Sequence, residues 1–249
     1  MKIGTCLLCR YSSSRLPGKI LRPLGEKPIL QHIYDKLLTV VPKETVFVTT
    51  SNEASDDIIE AYCKDHGINI FRGDLKNVAG RFLAAAKANG FDYVTRINGD
   101  APFINMGMYA NMLDICRSGD YDFITNVKDR TFPIGMSAEI LKTSFYEAVQ
   151  PAIQANEDYK EHVTLYLYEH PEVGKRFYLF NTEYPELTGL HLAIDEEKHY
   201  QLAQRIVRAL GDKYYSCTFN QFSKAIQQVK HEYELEGKAW TFTFSRDRG

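Results

Sequence analysis

Within the ten residues from Arg10 to Lys19 stand three cations, Arg10, Arg15 and Lys19, and three consecutive hydroxyls, Ser12, Ser13 and Ser14. A tetra-anionic triphosphate needs such a collection: two guanidinium forks to grip phosphate oxygens, an ammonium point charge, and hydroxyl donors. The Ser, Pro and Gly content would also suit a solvated turn. The segment, however, directly follows the first apolar run, and ligands of open α/β sheets bind at the carboxyl ends of strands. Asp100 reaches the same rim after the run Tyr93-Val94-Thr95-Arg96-Ile97. A carboxylate there can hold Mg²⁺, which takes oxygen ligands and shares them with substrate phosphates, although strand-end Asp is also a common turn former. Thr50, Ser51 and Asn52, ending the second strand, are candidate base or ribose contacts by the same rim argument.

These groups need a sheet to position them. Short β-branched or aromatic runs bounded by turn residues predict strands at 3–8, 45–50, 69–71, 93–97 and 123–126. Amphipathic stretches between them predict helices: one begins at Pro28 and places Ile29, Ile33 and Leu37 on one face, and others cover 56–64, 78–89 and 105–118. Gly67, Gly90 and Gly119 stand where those helices should stop. The alternation is that of βαβ units around a mostly parallel sheet. After residue 130 a Pro/Gly turn precedes a strand at 137–141 and helices at 144–155 and 158–169, an insertion over about 130–180 suited to acceptor binding or dimerisation. Sheet-like runs at 177–181 and 191–195 and a helix at 196–210 follow, while the last forty residues, rich in aromatics, carry no motif. We expect a single domain over 1–249.

Composition narrows the partners. With 30 basic and 32 acidic residues the formal charge is −2, so no bulk field favours nucleic acid or a membrane surface, and any anionic substrate must be met by local cations. Five scattered cysteines, an odd number, argue against a secreted disulfide framework and for a reducing, cytoplasmic setting. Cys6 and Cys9 form a CxxC inside an apolar run, with no second pair at zinc spacing, and read as buried strand residues. The apolar run before Arg10 is too short for a secretory signal, and no stretch approaches the ~20 residues that span a bilayer.

Several segments in order, RxxSSRLPGK at 10–19, LRPLGEKPIL at 21–30, RGDLKNVAGRF at 72–82, RINGDAPFI at 96–104, RTFP at 130–133 and EHVT at 161–164, carry a family likeness. The series resembles the cytidylyltransferases that include CMP-Kdo synthetase, the acylneuraminate enzymes and, closest, the spore coat polysaccharide protein F type. It covers about the first 200 residues. The resemblance implies an α/β, Rossmann-like nucleotide-diphospho-sugar transferase fold (GT-A-like), a three-layer sandwich with a mostly parallel mixed sheet. It also implies CTP as donor, Mg²⁺ as cofactor, pyrophosphate as product, a sugar-acid or related anionic acceptor, a role in surface polysaccharide or glycoconjugate precursor synthesis, and often a homodimer.

Residue by residue, the resemblance puts Arg72, Gly73 and Arg81 against the nucleotide, with Arg81 equally suited to a helix face. Asp195 matches a second metal ligand, or a cap for the helix that follows. Arg130 would meet the acceptor's anion, Glu139 its hydroxyls, and His162 would hydrogen-bond or move a proton near neutral pH. Glu161 and His162 also fit a solvent-facing helix surface. The chain departs from the family at Ser12, usually Gly, at Ile134 and Ser137, usually acidic, and at Glu196-Glu197, usually Thr-Pro. Two other readings compete: a metal-dependent glycosyltransferase, for which Asn98-Gly99-Asp100 offers one carboxylate where an Asp-x-Asp is typical, and a non-catalytic nucleotide-binding subunit, which would have lost its cations or metal ligands.

Overall fold

A computed structural model describes residues 1–243. Seven strands make one mixed sheet: β1 (Ile3–Leu8), β2 (Val46–Ser51), β3 (Asn69–Gly73), β4 (Tyr93–Asn98), β5 (Phe123–Thr125), β6 (Glu139–Lys142) and β7 (Arg176–Tyr178). Their spatial order is β3-β2-β1-β4-β6-β5-β7, and only β6 runs against the rest. The chain runs outward from β1 to β3 and then crosses back to β4 on the other side of β1. That reversal is a topological switch point, the place where α/β sheets bind ligands.

Ten α-helices are described: α1 (Ile29–Leu37), α2 (Asp57–Asp65), α3 (Val78–Ala88), α4 (Met106–Arg117), α5 (Thr143–Ala148), α6 (Gln150–Gln154), α7 (Glu157–Glu161), α8 (Leu165–Glu169), α9 (Glu197–Leu210) and α10 (Phe219–Leu235). Because successive strand side chains point to opposite faces, neighbours on one strand enter different cores. Leu7, Ile97, Ile124 and Ile140 pack with α1, α2, α4, α9 and α10, while Cys6, Val94, Phe123 and Leu141 pack with α3 and the cluster α5–α8. The result is the three-layer α/β sandwich expected. Cys6 and Cys9 fall in different cores as buried free thiols, and burial pushes the Cys6 thiol up to about 12. Among the described residues no helix is long and apolar enough to cross a membrane.

Three segments differ from expectation. The helix predicted at 144–155 breaks between α5 and α6, where Pro151 enters the first turn of α6 and lacks the N–H that would continue the ladder. The helix predicted at 158–169 breaks at His162–Thr164: His162 leaves helical geometry at ψ 82, Val163 is buried, and Thr164 Oγ1 turns inward to Glu139. Residues 191–195 form no strand. A single bridge joins His191 to Ile134, because Gly135, at φ 96, lets the two backbones approach so closely that a Cβ there would stand 2.5 Å from the Ala193 nitrogen. The C-terminal region that showed no motif contains α10, which opens on a capping box between Thr218 and Gln221 and buries Phe222, Ile226, Val229 and Tyr233.

Candidate active site

The cationic loop leaves β1 beside the end of β4, since Leu8 pairs with Asn98. It then folds back on itself: the amides of Ser13 and Gly18 both donate to the Tyr11 carbonyl at 2.9 Å. Gly18 sits at φ 68, and an added Cβ would meet the Tyr11 ring at 3.0 Å, so both conformation and space call for glycine. A residue the sequence reading passed over fixes the loop to the sheet. Asp56, 0% exposed, accepts the Tyr11 N–H at 2.7 Å on Oδ1, and on Oδ2 the Thr50 hydroxyl at 2.9 Å, the Ser51 N–H at 3.0 Å and the Ser51 hydroxyl at 2.5 Å. Burial alone would raise its carboxyl. The bonds from Ser51, Tyr11 and Thr50 outweigh burial and hold it below the usual carboxylate range.

Lys19 opens a single 3₁₀ turn (Lys19–Leu21) and is buried, at 9% exposure. Its Nζ donates to Asp100 Oδ2 at 2.7 Å, to the Ile194 carbonyl at 2.7 Å and to Asp195 Oδ1 at 3.3 Å. The Ile194 amide in turn donates to the Asp100 carbonyl at 3.0 Å, which ties the segment carrying Asp195 to the end of β4. Arg15 Nη2 lies 3.0 Å from Asp195 Oδ1, and His191 Nε2 lies 3.0 Å from Asp195 Oδ2. Burial would raise Asp195; the His191 hydrogen bond and the charges of Lys19 and Arg15 overcome it and hold the carboxyl far below the usual range. Two carboxylates, one just past the end of β4 and one from the segment 191–195 that forms no strand, thus converge on one ammonium, a set of hard oxygen donors that fits Mg²⁺. Asp195 directly precedes Glu196, the N-cap of α9, but Glu196 makes no side-chain cap bond, and Asp195 faces the cleft cations rather than capping the helix.

Two clefts meet at this point. The first, of about 240 Å³, is lined by Arg10, Ser13, Ser14, Arg15, Lys19, Arg81, Arg96, Asn98, Asp100, Glu161, His162 and Asp195 among others. The second, of about 560 Å³, is lined by Arg130, Ile134, Ser137, Glu139 and Tyr168, and shares Arg96, Asn98, Asp100, His162 and Asp195 with the first. Arg10 is exposed and reaches Glu161 at 3.7 Å. Arg81, on α3, is buried and donates to the Asp74 carbonyl at 2.5 Å while lining the first cleft.

Ser12, Thr50, Ser51, Asn52, Arg72 and Gly73 line neither cleft. Thr50 and Ser51 are at the rim, as read, but spend their donors on Asp56. Arg72 instead ties β3 to α2, bonding to Asp57 at 2.7 Å, Glu60 at 2.5 Å and the carbonyls of Ser51 and Glu53. Gly73 gives room to Arg81, whose Cγ would be 2.8 Å from an added Cβ.

Glu139, 1% exposed, has both oxygens taken: Oε1 accepts from Thr164 at 2.8 Å and Tyr168 at 2.6 Å, and Oε2 pairs with Arg96. Its reach toward a ligand is therefore through Arg96, a residue that sequence reasoning did not place in the site. The available signal was a cation inside an otherwise apolar strand, which cannot stay buried without a carboxylate. For Asp56 the signal was weaker, an acidic residue read as the start of a helix. His191 and His199, whose rings stack 4.4 Å apart beside Asp195, had no signal beyond their four-residue spacing from it.

The sequence model of the family described as Cytidylyltransferase matches residues 6–234. A protein of Methanocaldococcus jannaschii described as uncharacterized is 32% identical over 204 residues, 81% of this chain and 82% of that one. The Bacillus subtilis spore coat polysaccharide biosynthesis protein SpsF is 30% identical over 211 residues, 82% and 85% of the two chains. Among solved structures, a cytidylyltransferase from Leptospira borgpetersenii superposes with a TM-score of 0.84 at 29% identity, covering 97% of this chain and 99% of its own.

Proposed function

Because the chain belongs to the cytidylyltransferase family, we propose that it transfers CMP from CTP to an anionic sugar-type acceptor, releasing pyrophosphate, with Mg²⁺ held by Asp100 and Asp195. The observation that carries this reading is the meeting of two clefts at the Asp100–Lys19–Asp195 cluster: one lined by the cationic loop, the other by Arg130. The first cleft takes the triphosphate and the second the acceptor, so the acceptor oxygen attacks the α-phosphorus where they join. By likeness to the spore coat relative, the product serves polysaccharide precursor synthesis.

Charge supports the assignment. Five cations and three carboxylates line the first cleft, an excess of two positive charges. A tetra-anionic triphosphate is balanced there only when a divalent cation accompanies it. When bound, Mg²⁺ supplies neutralisation of charge at the phosphates. Arg10 and Arg15 are free enough to follow the departing pyrophosphate, being more than half exposed. Lys19 is fixed by three acceptors and orients both aspartates. Most of the rate enhancement then comes from positioning and preorganised charge.

Calorimetric titration tests the proposal. CTP should bind more tightly than ATP or GTP when Mg²⁺ is present, and Asp100→Asn should remove the dependence of that binding on Mg²⁺ without unfolding the chain. Equal affinities for the three nucleotides would overturn the cytidine assignment, and an unchanged Mg²⁺ dependence in Asp100→Asn would overturn the metal role.

A further inference from the structure

We propose that the cavity between the first turns of α4 and α10 is a binding site for an amphipathic organic anion, an aromatic body that carries a carboxylate- or sulfonate-type head. At about 650 Å³ the cavity is larger than either cleft, and none of the residues that line it lines them. That size suits a small molecule. Its walls are rings: Phe103 lies 5.7 Å from Phe222, and Phe219 lies 5.7 Å from Tyr184 and 5.8 Å from Phe132. Phe132 belongs to the turn that carries Arg130 and Ile134, so the cavity and the acceptor cleft share that wall.

Two observations give the occupant its charge. Lys36, 3% exposed, lines the cavity, and its ammonium carries three donors, yet its partners are the Pro102 carbonyl at 3.3 Å and the face of Tyr214 at 4.5 Å. Neither is an anion, and the carbonyl already accepts the Tyr214 hydroxyl at 2.6 Å. A buried charge held in this way is costly, and an anion in the cavity completes it. The amides of Met106 and Gly107, which line the same cavity in the first turn of α4, have no acceptor within the helix, since the Asn105 side chain takes the Met108 amide. The N-terminal end of this 12-residue helix adds positive potential to that of the ammonium. Glu183, the one carboxylate among the lining residues, is exposed. Aromatic walls, a buried ammonium and unpaired amides suit an aromatic anion and disfavour a cation.

The proposal does not rest on CTP chemistry, because binding is read without turnover. The full chain is titrated with anilinonaphthalenesulfonate, followed by fluorescence and by calorimetry, with and without saturating Mg²⁺-CTP. One equivalent should bind in both cases. The neutral phenylnaphthylamine, the same rings without the sulfonate, should bind at least about 10-fold more weakly, the scale of one lost hydrogen bond to a charged group. Lys36→Met should weaken the sulfonate by a similar factor and erase its advantage over the neutral probe. Asn111→Trp, at an exposed position of α4 that lines the cavity, should weaken both probes by filling the space. Displacement of the sulfonate by Mg²⁺-CTP overturns the proposal, as does unchanged affinity in either variant. Failure of the sulfonate to bind the wild-type chain, the result if a second copy of the chain covers the cavity, overturns it as well.

Discussion

Asp56→Asn isolates the contribution of a residue that touches no ligand in the proposed reaction. The carboxylate accepts four bonds, three on Oδ2 and the Tyr11 N–H on Oδ1. Asparagine has one oxygen. If it keeps the bonds from Thr50 and Ser51, its amide group faces the Tyr11 N–H at a distance now 2.7 Å, donor against donor. At least one buried hydrogen bond to a charged group is lost, about 1.5–3 kcal/mol of stability, and the loss falls on the residue next to Arg10. The nucleotide must then order a loop that Asp56 ordered before, which should weaken Mg²⁺-CTP by about ten- to a hundredfold. Calorimetry gives the affinity, and urea unfolding at pH 7 gives the stability. A variant that is less stable yet binds CTP with unchanged affinity would show that Asp56 supports β2 alone. The pH dependence adds a check: with its pKa depressed on folding, Asp56 contributes stability above the ordinary carboxylate range that is lost as pH falls through and below it, and Asp56→Asn should flatten that limb.

Arg15→Ala should lower turnover by about 100-fold, the scale for one preorganised donor, with unfolding free energy unchanged, since more than half of the side chain is exposed; full turnover at saturating CTP would exclude a role with the leaving group. Lys19→Met should behave differently, losing stability as well as rate because Asp100 and Asp195 then face each other uncompensated, and added Mg²⁺ should restore part of the melting temperature; stability unaffected by the change would contradict the shared-ammonium geometry. Lys36 is a buried cation outside the site, bonded to the Pro102 carbonyl at 3.3 Å and 4.5 Å from the Tyr214 ring, and burial lowers it to about 8. The unfolded chain holds that proton more tightly between about pH 8 and 10.4, so wild-type stability should rise across this window, and Lys36→Met should be more stable at pH 7 by up to about 3 kcal/mol; a less stable Met variant would refute the burial argument.

The strand pattern was legible because each strand carries its own evidence. Leu7 and Cys6 need no distant partner to announce alternate faces, and the glycines at 67, 90 and 119 do adopt positive φ after their helices. Elements stabilised by contacts rather than by local pattern were not legible. The run at 191–195 has strand-like residues, but it faces Gly135 and Asp100 and finds no ladder. The helix α10 did have a local signature, Thr218 with Gln221 followed by apolar residues four apart, obscured by the many aromatics around it. In the site, the cations were visible as a cluster, while their counterions were not: Lys19 finds Asp100 and Asp195 at separations of 81 and 176 residues. Arg72 sits in a family-like segment next to Gly73, and nothing local distinguishes a guanidinium aimed at a ligand from one that anchors α2.

The same limit bears on the acceptor. Ile134 and Ser137, where the resembling family is usually acidic, both line the second cleft, so the carboxylates available to acceptor hydroxyls there are fewer. Glu139 remains, but its oxygens are engaged by Arg96, Thr164 and Tyr168, and Asp100 and Asp195 are drawn to Lys19. Arg130 makes no ion pair within 4.0 Å among the described residues and is held, with Asp129 before it, at positive φ, a conformation that costs a non-glycine residue about 1–3 kcal/mol. A strained backbone is kept where surrounding structure over-determines it, here presenting the Arg130 guanidinium to the cleft shared with the two aspartates. A cleft poor in free carboxylates and supplied with such a cation selects by the acceptor's anion more than by its hydroxyls, which is why the proposal specifies an anionic acceptor and leaves its ring substituents open.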